Sequence, residues 1–86
     1  MATKSDIEKA WDKAQVIRGL NPNVWRRDPY GNKIRKGSYG THGEYGWEVD
    51  HKKPISEGGS DSPRNLQAVH WKENRRKGSQ YPYRRK

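Results

Sequence analysis

The chain has 86 residues, no cysteine, and a formal charge of +9 from 19 Lys and Arg against 10 Asp and Glu. That length suits one small domain over 1–86, and the lack of cysteine excludes a disulfide framework and a thiolate zinc site. No apolar run reaches the length of a signal-peptide core or a membrane span, so the expectation is a soluble, cytoplasmic protein with no membrane partner.

The charge is uneven. Residues 1–70 carry twelve basic and nine acidic side chains, whereas residues 71–86 carry seven and one. A basic domain with a more basic end predicts a polyanionic partner, usually nucleic acid; charge that merely maintains solubility is the plainer reading. Four Trp and five Tyr supply large apolar area. They argue for a compact fold against the disorder that low hydrophobicity and high charge would otherwise suggest. Loose ends are expected at Met1–Lys4 and Ser79–Lys86.

In chain order, Ser5 followed three residues later by Glu8 reads as a capping box. Ile7, Ala10, Trp11 and Ala14 then fall at i, i+3, i+4 and i+7. The spacing predicts a scaffold helix over 5–18, stopped by Gly19, that lays its Trp11 stripe on the rest of the domain. Asn21-Pro22-Asn23 marks a turn. Trp25–Arg27 and Lys33–Lys36 are predicted to pair as a short hairpin across Asp28-Pro29-Tyr30-Gly31-Asn32. Its basic residues form a solvated face that could also touch phosphates. His42, set among glycines, reads as a surface histidine.

From Tyr45 to Asp50 the pattern alternates, with Tyr45, Trp47 and Val49 facing one way and Glu48 and Asp50 the other. This short strand delivers Asp50 and His51 to a loop containing Pro54, Gly58 and Gly59. Leu66–Val69 is the next strand, introduced by a turn over Asp61–Asn65. Trp71–Lys77 reads as a short helix with Gly78 as its stop. The fold class is α+β.

Asp50-His51, Pro54, Gly58-Gly59, Asn65-Leu66 and Asn74-Arg75-Arg76-Lys77-Gly78 stand in the order of the HNH endonuclease motif, which residues 45–78 resemble. The resemblance implies a ββα-metal core, joined here to the N-terminal helix and short hairpin. It is similar to small free-standing bacterial or phage members that lack zinc cysteines, in a His-Asn-Asn variant. It implies a metal-dependent endonuclease acting on DNA with low sequence specificity, by nicking or cleavage. A catalytically weak nucleic-acid-binding module, or an accessory beside phage packaging proteins, is the alternative. A monomer is the default.

Phosphodiester hydrolysis needs an activated water and stabilisation of charge in the transition state. An imidazole, titrating near ~6.5 when unperturbed, suits the first task, and the resemblance makes His51 the general base. It makes Asp50 and Asn74 the metal ligands. One carboxylate and one neutral amide oxygen favour weakly held Mg²⁺ or Mn²⁺, and no structural zinc is expected. On a regular strand Asp50 and His51 point to opposite faces, so a shared site requires the strand to end or bulge there. Asn65 is either an ordinary turn asparagine or, by resemblance, the anchor that keeps His51 oriented. His70 and Glu73 occupy the places of a zinc-binding Cys pair, and a metal role for His70 stays open. Arg75, Arg76 and Lys77, with Lys52, Lys53, Arg84 and Arg85, are the expected phosphate contacts.

Overall fold

The computed structural model describes residues 2–84, so Arg85 lies outside the described residues. Helix α1 spans Lys4–Lys13. Its capping box is built two residues earlier than expected. Thr3 is the N-cap: Asp6 N donates to Thr3 Oγ1 (3.1 Å) and Thr3 N to Asp6 Oδ2 (3.1 Å). Thr3 and Lys4 are therefore ordered rather than loose.

The helix is also shorter than the predicted 5–18. Ala14 turns to an extended conformation (φ −69°, ψ 153°), and Gln15–Val16 become strand β1. Arg26 Nη1 donates to the Asp12 and Ala14 carbonyls at 3.0 and 3.2 Å. A cation on the last carbonyls thus ends this helix, in place of the glycine that the sequence suggests.

β1 is the edge of a three-stranded antiparallel sheet with β2 (Trp25–Arg27) and β3 (Lys33–Arg35), in the order β1-β2-β3. The predicted hairpin forms with Trp25 opposite Arg35 and Arg27 opposite Lys33. Its connection is organised by Asp28, whose carboxylate accepts from Tyr30 N (2.9 Å), Asn32 N (2.8 Å) and Asn32 Nδ2 (2.9 Å).

The second sheet pairs β4 (Trp47–His51) with β5 (Leu66–His70), antiparallel, placing Asp50 opposite Gln67 and His51 opposite Leu66. Helix α2 (Trp71–Lys77) follows directly. Its last turn closes with Gly78 N donating to the Asn74 carbonyl at 3.0 Å, Gly78 taking a positive φ of 52°. β4, β5 and α2 form a ββα unit. Every residue of β5 is buried, and α1 packs against it.

The core joins Ala10, Trp11, Ile34, Trp47 and Ala68, with Ile7, Ala14 and Val49 packed around it. Trp11 and Trp47 meet at 5.3 Å between ring centroids, both fully buried. Each indole N–H finds a carbonyl at 2.9 Å, Pro22 for Trp11 and Arg35 for Trp47. Losing either ring costs about 3–5 kcal/mol, a large share of the stability of so small a domain.

Candidate active site

β4 runs in regular register to its end, and Lys52 N still donates to the Asn65 carbonyl at 2.7 Å. No bulge turns Asp50 and His51 to one face, so their side chains leave the strand on alternate sides. At the end of the strand both residues border one open depression with Pro54, Ile55 and Lys77.

Glu48 and Asp50 face α2, whose Asn74 and Lys77 stand one turn apart and meet them in turn. Asn74 Nδ2 donates to Glu48 Oε1 at 2.8 Å, and Arg75 binds both Glu48 oxygens at 2.7 and 2.9 Å. Burial pushes the Glu48 carboxyl up. The hydrogen bonds from Asn74 and Arg75 and the charges of Arg75 and His42 outweigh it, and hold the group below its ordinary 4.5.

Asp50 is matched with Lys77. The Lys77 ammonium lies 3.3 Å from Asp50 Oδ2 and 3.1 Å from the His51 carbonyl, and Gln67 Nε2 donates to Asp50 Oδ2 at 2.9 Å. Lys77 is only 1% exposed. This corrects its assignment as a phosphate contact: its charge is turned inward, because a carboxylate as buried as Asp50 needs a partner.

Asp50 and Asn74 share a face without a hydrogen bond between them among the described residues. Their chemistry nevertheless suits a hard divalent ion, since the donors are oxygens and Asp50 already accommodates a positive charge. The Asn74 amide gives its N–H to Glu48, so its carbonyl oxygen is the atom of that side chain with the chemistry to ligate a cation. No cluster of three or more His, Cys, Asp or Glu suited to a metal occurs among the described residues.

His51 presents Nε2 to Asp61 Oδ1 at 2.7 Å. The intervening loop is closed by Asn65. Its Oδ1 accepts from Lys53 N (2.8 Å), and its Nδ2 donates to the Lys53 and Ser60 carbonyls (2.9 and 2.7 Å). Gly59 completes the neck: its N–H donates to the Pro54 carbonyl at 2.9 Å, and a Cβ there would lie 1.8 Å from the Lys53 carbonyl oxygen.

His70 has both ring nitrogens engaged. Nδ1 accepts from Lys72 N at 3.1 Å, and Nε2 lies 2.7 Å from the Glu44 carbonyl, so His70 caps α2 and retains no lone pair for a metal. Glu73 is 3% exposed and accepts from Asn32 Nδ2 at 3.1 Å, while Asp28 accepts from His70 N at 3.0 Å. A hydrogen-bond network therefore ties the hairpin loop to the start of α2.

Lys52, Lys53, Arg75, Arg76 and Arg84 are exposed. Arg75 is engaged largely by Glu48, and Arg76 lies 3.8 Å from Glu73. The described part of the tail, expected to be flexible, is docked. Gln80 N donates to the Lys77 carbonyl at 3.0 Å, the Tyr83 hydroxyl donates to Glu73, and the Tyr83 ring meets Tyr30 edge-on at 5.2 Å. A buried carboxylate that needs donors holds it there.

Sequence reasoning missed Glu48, Gln67 and Asp61. The first had a signal, since Glu48 and Asp50 alternate onto one face and Asn74 and Lys77 stand at i and i+3. Asp61 had none beyond its place after Gly58-Gly59.

No curated protein matches the chain, and no solved structure does. A family model, HNH endonuclease, matches residues 35–80, more than half the chain, and takes in the whole ββα unit. With that match over β4, β5 and α2, this chain belongs to the HNH endonuclease family.

Proposed function

We propose that the protein is a divalent-metal-dependent endonuclease that nicks or cleaves DNA with little sequence preference. HNH nucleases act on DNA and typically use a divalent metal. The observation that carries the reading for this chain is the end of β4, where His51 and Asp50 border one open depression on the ββα unit.

In this reading His51 takes a proton from the attacking water. Asp50 and Asn74 hold a Mg²⁺ or Mn²⁺ ion, which when bound supplies positive charge to the scissile phosphate and the leaving oxygen. Asn65 keeps the loop closed around His51. Lys52, Lys53, Arg76 and Arg84, with the part of Arg75 not used by Glu48, bind backbone phosphates, which positions DNA without reading its sequence.

A second reading has its own support. Lys77 already neutralises Asp50, and Glu48 already engages Asn74. A nucleic-acid-binding module of weak catalytic power, such as an accessory to phage packaging proteins, would look the same.

Incubation of supercoiled plasmid with Mg²⁺ or Mn²⁺ separates the two readings, with chelator and His51→Ala as controls. Nicking that needs metal and His51 supports the nuclease. Binding without nicking in any metal supports the module. Nicking that survives His51→Ala removes the assigned base. The salt dependence of DNA binding tests the basic residues separately. Lys52→Ala with Lys53→Ala should lower the slope of log K against log salt by about two, because each lysine that neutralises a phosphate releases about one counterion on binding.

A further inference from the structure

We infer that Asp61 is a positioning residue for His51: its carboxylate holds the imidazole as the Nε2–H tautomer, which leaves Nδ1 as the proton acceptor. This deepens the proposed function and rests on its assignment of His51 as general base.

The contact itself is short, 2.7 Å between Nε2 and Asp61 Oδ1. An ionised carboxylate only accepts, so the neutral ring must carry its proton on Nε2 and its lone pair on Nδ1. Nδ1 has no hydrogen-bond partner among the described residues. Proton transfer is then one move. The water O–H breaks, its proton joins Nδ1, the Nε2–H stays on Asp61, and the ring later returns the proton to solvent.

Burial does not fix Asp61 over the ring, because its side chain is 87% exposed. The loop does. Asn65 binds both the Lys53 and the Ser60 carbonyls, which ties the residue before Asp61 to the start of the loop. The close approach of Gly59 to Lys53 draws the same neck shut. Asp61 is the next residue out and lands beside the end of β4.

Magnitude separates a positioning role from a stabilising one. A pair this exposed contributes between nothing and ~1 kcal/mol to folding. A general base typically contributes ~10²- to 10⁴-fold to rate, and its value depends on presenting the correct nitrogen. Loss of Asp61 should therefore be silent in stability and visible in turnover.

The test combines the tautomer of His51, read by long-range proton–nitrogen NMR on histidine-labelled protein at alkaline pH, with kcat, KM and thermal midpoint. Wild type should show the Nε2–H form. Asp61→Ala should show mixed tautomers and a kcat about 10- to 100-fold lower, with KM and thermal midpoint unchanged. Asp61→Asn should recover most of kcat, since an exposed amide can rotate its oxygen onto Nε2–H. An unchanged tautomer and kcat in Asp61→Ala overturns the inference. So does a loss of kcat that follows a lower thermal midpoint, or one that Asp61→Asn does not relieve. Wild type that nicks in no metal overturns the nuclease reading and the catalytic half of this one, while the tautomer still decides the pairing.

Discussion

The ammonium of Lys77 lies 3.3 Å from Asp50 Oδ2, with the two side chains 2% and 10% exposed. Breaking such a pair from one side leaves an uncompensated buried charge and costs about 3–5 kcal/mol. Lys77→Ala should therefore lower the urea midpoint sharply in the presence of chelator. If Asp50 is a metal ligand, millimolar Mn²⁺ should restore more stability to this variant than to wild type, because it binds the folded state at the vacated charge. Equal effects on both proteins would remove Asp50 from the ligand set.

Asn65 makes three hydrogen bonds across the neck of the loop. Asn65→Ala should cost about 1–3 kcal/mol and open the loop to trypsin at its two ends, after Lys52 and after Arg64. Asn65→Asp keeps the acceptor for Lys53 N but loses both donors, so it should behave like alanine in the proteolysis assay. Protection equal to wild type would show that the loop closes without this side chain.

Asp28, 1% exposed, accepts from the backbone N–H groups of Tyr30, Asn32 and His70. Asp28→Ala strands these donors, each worth about 1–3 kcal/mol if left unsatisfied in the interior. The domain should become largely unfolded, or fold with fast hydrogen exchange at Asn32 and His70. Slow exchange at both amides in the variant would mean that water replaces the carboxylate.

Tyr30 gives the pH dependence. Burial, opposed by the hydrogen bond with Gln67 and reinforced by the charges of Asp50, Asp28 and Glu73, raises its phenol above the ordinary 10.0. A folded value above the unfolded one stabilises the fold fully below 10.0, and that contribution is lost as pH rises through the folded value. Wild type should lose stability above about pH 10 more steeply than Tyr30→Phe. Parallel stability curves for the two proteins in the alkaline range would refute this.

Much of the site-bearing unit was legible because its signals are local. Alternation placed β4, the apolar run Leu66–Val69 placed β5, and Gly78 marked the end of α2. The end of α1 was not legible, since Arg26 caps it from another strand while Gln15 and Val16 are drawn into the sheet. Lys77 sits in a basic run that reads as surface. Only the facing of α2 and β4 turns it to Asp50. The docking of Tyr83 likewise depends on Glu73, a residue whose burial no local pattern announces.

The neck at Gly59 has a consequence for how this loop can vary. Because a side chain there would collide with the Lys53 backbone, and not with a movable side chain, neighbouring substitutions cannot relieve it. The spacing from Gly59 to Asp61 thus acts as a ruler: an insertion at Ser60 would carry the acid past the imidazole, and one after Ser62 would break the turn in which Asn65 N donates to the Ser62 carbonyl at 2.8 Å. In a library of loop variants, length should therefore be held fixed from Gly59 through Asn65.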